Sequence, residues 1–148
     1  MEYIKIRFLD DFGQLGSKFE KTIEDIFRSV SPGFTLAERT WKPPMDMNET
    51  PDEVIILAEV PGVDKEDLDI EISSKAVRIQ GNRIARHCSH NATYRLAEIQ
   101  YGKFERILFL PAPIDPEVVS AAYQNGLLEI RLAKLPPERA HKVPVQDG

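Results

Sequence analysis

The chain has a single cysteine, Cys88, in 148 residues. A disulfide framework within the chain is therefore excluded, and a lone thiol fits a reducing, cytoplasmic setting. No apolar run approaches the roughly 18 residues of a membrane span, so no stable membrane insertion is expected. No positively charged start leads into an apolar run, so no signal peptide is visible. A basic excess is also missing: 19 Lys and Arg against 24 Asp and Glu leave a net charge of −5. That argues against nucleic acid as a partner, because a phosphate-backbone binder shows a basic face. There is no Gly-rich Walker pattern, and no cofactor is expected. Asn91-Ala-Thr93 matches a glycosylation acceptor and, without a secretion signal, reads as chance.

The hydrophobic fraction of 42% is enough for a packed core. The length suits one domain with extensions, and three segments can be told apart. In residues 1–40, Phe12, Leu15, Phe19, Ile23, Ile26, Phe27 and Val30 recur at three- and four-residue steps, the period of an amphipathic helix. Asp10 or Asp11 is placed to cap its start, and Ser31-Pro32-Gly33 stops it. This face either packs on its own domain or covers another subunit or foreign apolar surface. An apolar stripe ahead of a strand-rich region has no helical partner nearby in sequence, which favours the second use.

Residues 41–134 are strand-rich. Pro43-Pro44 opens the region, and residues 45–49 suggest a short edge strand. Residues 53–60 form a continuous apolar strand ended by Pro61-Gly62, followed over 64–67 by a polar turn or one helical turn. Leu68, Ile70 and Ile72 alternate with Asp67, Asp69 and Glu71, the pattern of a half-buried strand with its carboxylates toward solvent. Residues 76–80 alternate as well, with Gly81 as the expected end, and a further strand runs from Phe104 to Leu110. Pro113 and Pro116 flank a short connection. Asn125-Gly126 then offers the positive φ of a type I′ turn. It feeds a strand in which Leu128, Ile130 and Leu132 point one way and Glu129 and Arg131 the other. Several short strands separated by turn signals argue an all-β, antiparallel sandwich. Residues 82–102 are long for a hairpin loop. They carry Tyr94, Leu96, Ile99 and Tyr101, and are expected to hold a strand suited to a neighbouring subunit's sheet edge.

Residues 135–148 form a polar tail in which Val143 and Val145 flank Pro144. In an extended chain, side chains at i and i+2 point to the same side. Both valines can therefore enter one groove, and Pro144 reduces the entropy lost on docking.

Four motifs stand in one order. They are Leu57-Ala-Glu-Val-Pro-Gly-Val-Asp-Lys-Glu-Asp-Leu-Asp-Ile70; then Glu98, Gly102, Phe104, Arg106, Leu110 and Pro111; then Ala121 or Ala122 with Asn125, Gly126 and Leu128; then Val143 and Val145. Over about residues 41–145 this order resembles the small heat shock protein (Hsp20, alpha-crystallin) family, of bacterial or archaeal type. The resemblance implies an immunoglobulin-like sandwich, the alpha-crystallin domain, with a helical N-terminal segment and an extended C-terminal tail. It implies a stress-response chaperone that is not an enzyme: an ATP-independent holdase that binds unfolding client proteins and suppresses their aggregation. It also implies self-assembly, as a dynamic homo-oligomer of dimers. Dimer contacts would fall at Tyr94, Arg95, Glu98 and Arg106. The valine pair would dock in a groove lined by Leu68, Ile70, Ile72, Leu128, Ile130 and Leu132.

Departures from the family pattern matter. Ile107 and Phe109 stand where members often carry arginine, so both faces of that strand are apolar. Its outer face is expected to be covered by the N-terminal segment or by another subunit. Some members carry an arginine near Leu96, and here that charge is displaced to Arg95, which puts the family's salt bridges between subunits in question. The tail uses valine where isoleucine is common, and each missing methylene removes about 0.8 kcal/mol of burial.

His87-Cys88-Ser89-His90 holds suitable zinc ligands or a Cys–His nucleophile pair, but a fourth ligand is missing nearby. Cys88 beside Arg86 suits redox sensing if exposed. A solvated loop is the preferred reading. Asp67, Asp69 and Glu71 look like acid–base partners, and more simply form a solvent face. A second function class is a co-chaperone or adaptor of the p23 kind, with the same sandwich and one specific partner. Such a module has no need of a Phe-rich helix or a valine-paired tail.

Overall fold

The structure is a computed structural model, described here for residues 4–9, 40–86, 89–136 and 144–147. The helix expected around Phe12 to Val30 lies outside the described residues. Among the described residues there are eight strands: β1 (Lys5–Phe8), β2 (Met45–Glu49), β3 (Glu53–Glu59), β4 (Asp69–Ile72), β5 (Ala76–Arg83), β6 (Gly102–Phe109), β7 (Ile114–Gln124) and β8 (Leu127–Lys134). A 3-10 turn, Lys65–Asp67, lies where the polar or helical turn is expected. The strands form two four-stranded sheets, one in the order β1-β4-β5-β6 and the other β2-β3-β8-β7. Every pairing is antiparallel except β1 with β4. This is the all-β sandwich expected from the strand pattern.

Alternation builds the core. Val54, Ile56 and Ala58 of β3 lie opposite Leu132, Ile130 and Leu128 of β8, and all six are fully buried. Leu68, Ile70, Ile72, Val77, Ile79 and Phe104 face them from the other sheet. Each large side chain buried this way contributes about 1.5–3 kcal/mol. Although residues 54–58 of β3 are all apolar in sequence, the strand alternates in burial, with Ile55 and Leu57 only half-covered on the outer face.

Two turns lock together at one end. Asn125 and Gly126 have φ of 54° and 81°, as a type I′ hairpin requires. A Cβ on Gly126 would stand 2.8 Å from Pro61 Cβ, so the Asn-Gly turn packs directly on the Pro-Gly turn. The Val60 N–H donates to the Gly126 carbonyl at 2.8 Å. The Tyr123 hydroxyl reaches the carbonyls of Val60 (2.8 Å) and Val63 (2.9 Å). Burial pushes the Tyr123 phenol above its ordinary value.

Several expectations are corrected. Gly81 does not end its strand, because β5 continues to Arg83. Its role is close approach: a Cβ there would lie 2.5 Å from the Phe104 ring and 2.8 Å from the Asp67 carbonyl. Pro116 lies inside β7, at the register break between Ile114 and Val119. An edge strand with a bulge tolerates the missing N–H. Among the described residues between β5 and β6, none pairs as a strand within its own chain. A two-sided ladder needs a partner edge, and this excursion has none within its own chain. Conversely β1 has no local signal in the sequence, because β4, its partner among the described residues, lies far along the chain.

Candidate functional site at the sheet edges

The sandwich has two open sides. On one, β6 lies beside the entry to β2. The Trp41 indole Nε1–H donates to the Gly102 carbonyl (3.0 Å), Trp41 stacks edge-on against Phe104, and Arg106 Nη1 donates to the Pro43 carbonyl (2.8 Å). The strand orders then bring β4 toward β7 on the other side. Consistent with this, the Ile114 N–H that opens β7 donates to the Ser74 carbonyl just beyond β4 (3.4 Å).

The β4 edge is filled by β1. Lys5, Ile6, Arg7 and Phe8 pair in register with Asp69, Ile70, Glu71 and Ile72, and the Leu9 N–H extends the ladder to the Ile72 carbonyl (2.8 Å). The two faces of β1 differ. Ile4 and Ile6 pack against the core cluster. On the outer face, Arg7 Nη2 meets both Asp69 and Glu71, the latter at 2.8 Å. Glu71 also accepts from Arg78 (3.2 Å), whose Nε lies 3.4 Å from Glu105, while Gln80 Nε2 donates to Asp69 (2.9 Å). Glu71 is 3% exposed and Arg78 0%. On the expected solvent face, Glu71 is thus buried in an ion-pair cluster, while Asp67 and Asp69 are half-buried. Alternation identifies which side chains share a face, and does not say whether that face is covered. Leu9 and Ile107 pack on buried Ala76 nearby, so residues just after β1 help cover the outer face.

The residues expected to line the tail groove sit elsewhere in function. Leu68, Ile70, Ile72, Leu128, Ile130 and Leu132 are 0–1% exposed and belong to the sealed core. Moreover β8 is an interior strand between β3 and β7. The rim that faces the β4 side is β7, where Val119 and Ala121 are partly buried against the core. The last strand in the chain is not the last in the sheet, and this is why β8 was misplaced. Val145 is 90% exposed; Val143 lies outside the described residues.

Of the expected dimer contacts, Tyr94, Arg95 and Glu98 are exposed on the excursion, whereas Arg106 is half-buried on β6 and tied to Pro43. The excursion's large apolar side chains stand in solvent: Tyr94 62%, Leu96 74% and Ile99 66%. Its root is latched by Arg83, a residue the sequence reading did not single out for this role. The Arg83 guanidinium lies 3.9 Å over the Trp41 ring, its Nε donates to the Gln100 carbonyl (2.8 Å) and its Nη1 to Pro61 (3.2 Å). Arg86 pairs with Asp64 at 3.1 Å. An open cavity of about 690 Å³ lies at this root, lined by Trp41, Pro44, Ile84, Ile99 and Tyr101 among others. His87 and Cys88 fall outside the described residues, and His90 is exposed. Among the described residues no group of three or more His, Cys, Asp and Glu is placed to hold a metal, and no helix is long and apolar enough to cross a membrane.

This geometry has close relatives. Residues 46–146 match the Hsp20/alpha crystallin family. The chain is 30% identical over 129 residues to "Small heat shock protein C2" of Rickettsia felis, covering 86% of this chain and 84% of that one. It is 31% identical over 130 residues to "Heat shock protein 16" of Schizosaccharomyces pombe, covering 84% and 91%. Among solved structures it is similar to heat shock protein 16.0 from S. pombe, with TM-score 0.61, 30% identity and coverage of 72% and 99%. A small heat-shock protein from Xylella fastidiosa, described as having a distinct high order structure, aligns with TM-score 0.61 at 26% identity, covering 74% and 100%.

Proposed function

Because this chain belongs to the Hsp20/alpha crystallin family, whose members are stress-response chaperones, we propose that it is a cytoplasmic, ATP-independent holdase acting as a dynamic homo-oligomer of dimers. The observation that carries this reading is the apolar surface held outside a complete core. Tyr94, Leu96 and Ile99 on one excursion, and Val145 in the tail, stand largely in water while the sandwich interior is sealed. Hydrophobic attraction is non-directional, which suits broad capture of unfolding proteins without a shaped pocket.

In this reading the excursion pairs with a neighbour's sheet edge to make the dimer. Its return limb already lies beside Trp41, Lys42 and Pro44, directly ahead of edge strand β2, whose Met47 is 42% exposed. Tyr94, Arg95 and Glu98 would then supply side-chain contacts. The tail docks by Val143 and Val145 on the side where β4 faces β7. Two valines contribute a few kcal/mol at most, less the cost of ordering the tail. One such contact is labile, and many around a closed assembly are not. The amphipathic helix carrying Phe12, Leu15, Phe19, Ile23, Ile26 and Phe27 would add surface for clients or other subunits.

The test is to heat a labile protein with substoichiometric amounts of this chain, without nucleotide, and follow turbidity. Suppression is expected. Absence of suppression at temperatures where this chain stays folded overturns the holdase reading and favours a single-partner adaptor of the p23 kind.

A further inference from the structure

The side of the sandwich that the tail needs is already occupied. Strand β1 lies along β4 with Ile4 and Ile6 against the core and Arg7 between Asp69 and Glu71. The segment Ile4-Lys-Ile-Arg7 has the same aliphatic spacing, i and i+2, as Val143-Pro-Val-Gln146. In an extended strand that spacing puts both aliphatic side chains on one face. The two segments differ on the other face. Lys5 and Arg7 stand opposite the carboxylates of Asp69 and Glu71, where the tail would bring Pro144 and Gln146. Proline also lacks a ladder donor, and isoleucine buries one methylene more than valine. On charge, hydrogen bonding and apolar area, β1 is the better ligand for this edge.

We propose that β1 is a built-in plug of the β4 edge, occupying in its own chain the seat that the Val143–Val145 tail of a second copy takes. The inference rests on the tail-docking reading above. Assembly through the tail then requires β1 to leave, and the competent fraction of subunits sets the strength of tail docking. Release is favoured by conditions that weaken the Arg7 pairs. Arg7 is the half-exposed member of the cluster, with a side chain 46% accessible, and is therefore screened by salt. Glu71 and Arg78 beneath it are not. The groups facing Arg7 are Asp69 and Glu71 on β4, with Arg78 and Gln80 on β5 and Glu105 on β6 behind them.

The experiment measures binding of a fluorescent peptide of residues 138–148 to the full chain by anisotropy. The same titration is run on full-length Ile4→Asp/Ile6→Asp and Arg7→Glu variants, with Trp41 emission verifying that each domain is folded. The Ile4→Asp/Ile6→Asp variant should bind the peptide about tenfold more tightly or better, because two apolar anchors of the competitor are lost. Arg7→Glu should shift affinity the same way, by a smaller factor. A peptide carrying Gln146→Arg should bind the Ile4→Asp/Ile6→Asp chain more tightly than the natural peptide, since it restores a cation opposite Glu71. Equal binding of the natural peptide to the parent and both variants overturns the plug while leaving tail docking intact. No binding to any of the three, with all folded, overturns tail docking itself and the plug with it.

Discussion

The carboxylate of Glu71 should be among the costliest surface-strand charges to remove. It sits 3.2 Å from the fully buried guanidinium of Arg78 and 2.8 Å from Arg7. Taking it away by Glu71→Ala leaves Arg78 desolvated, with Glu105 still 3.4 Å from its Nε. Breaking a buried pair from one side costs roughly 3–5 kcal/mol. Because Glu105 stays in place, the low end applies, about 3 kcal/mol. A domain of this size has a urea m-value near about 1.3 kcal/mol/M, so the midpoint should fall by about 2 M. The single tryptophan, Trp41, is 9% exposed and stacked on Phe104, and its emission reports unfolding directly. The titration is run at one protein concentration, because association shifts apparent stability. Replacing both partners, by Glu71→Leu with Arg78→Met, should recover most of the loss, since an apolar pair of similar volume needs no compensation. A midpoint shift below about 0.5 M for Glu71→Ala would refute the reasoning. So would a double variant no more stable than the single one.

Two further perturbations test the packing of the sandwich. Gly81→Ala would place a Cβ 2.5 Å from the buried Phe104 ring, and should cost about 2–3 kcal/mol by overpacking, read as a lowered urea midpoint. Tyr123→Phe removes the hydroxyl that ties the Val60 and Val63 carbonyls, and should cost about 1 kcal/mol at neutral pH. The same tyrosine gives a pH signature. Its folded-state pKa lies above the ordinary 10.0, chiefly because burial disfavours the phenolate. The folded chain holds this proton where the unfolded chain releases it, so the stabilisation is whole below pH 10 and is lost as pH rises through the folded value. Stability curves of the parent and the Phe variant should converge on the alkaline side. Parallel curves would show that the hydroxyl does not couple to folding.

Much of the sandwich was legible because its signals are local. Asn125-Gly126 needs positive φ wherever it stands, and Leu128, Ile130 and Leu132 alternate without reference to any partner. What depends on distant pairing was not. The sequence places β8 last, yet its neighbours are β3 and β7, and this moved three expected groove residues into the interior. Glu71 looked solvated because its cover comes from Arg78 across the sheet and Arg7 far along the chain. Gly81 looked like a terminator, whereas the ring of Phe104 decides its identity. The family motifs survived these errors because they encode turns and core positions, which strand order does not alter.

The distribution of strong and weak contacts bears on function. Interior pairs such as β3 with β8 join two runs of fully buried aliphatic side chains. At the edges, by contrast, four-residue β1 is held by two half-buried isoleucines and a partly exposed arginine. The excursion is held at its root by Arg83, while Leu96 and Ile99 on it are largely exposed. Local opening is cheapest where few apolar contacts are buried. Stress that leaves the sandwich intact should therefore act first on β1 and the excursion. Both changes release strand edges and apolar surface without unfolding the domain that carries them. Under the proposed chaperone reading, heating would first change what these edges pair with, at a temperature set by the Arg7 ion pairs and the β1 isoleucines. The core can then remain stable well above that point.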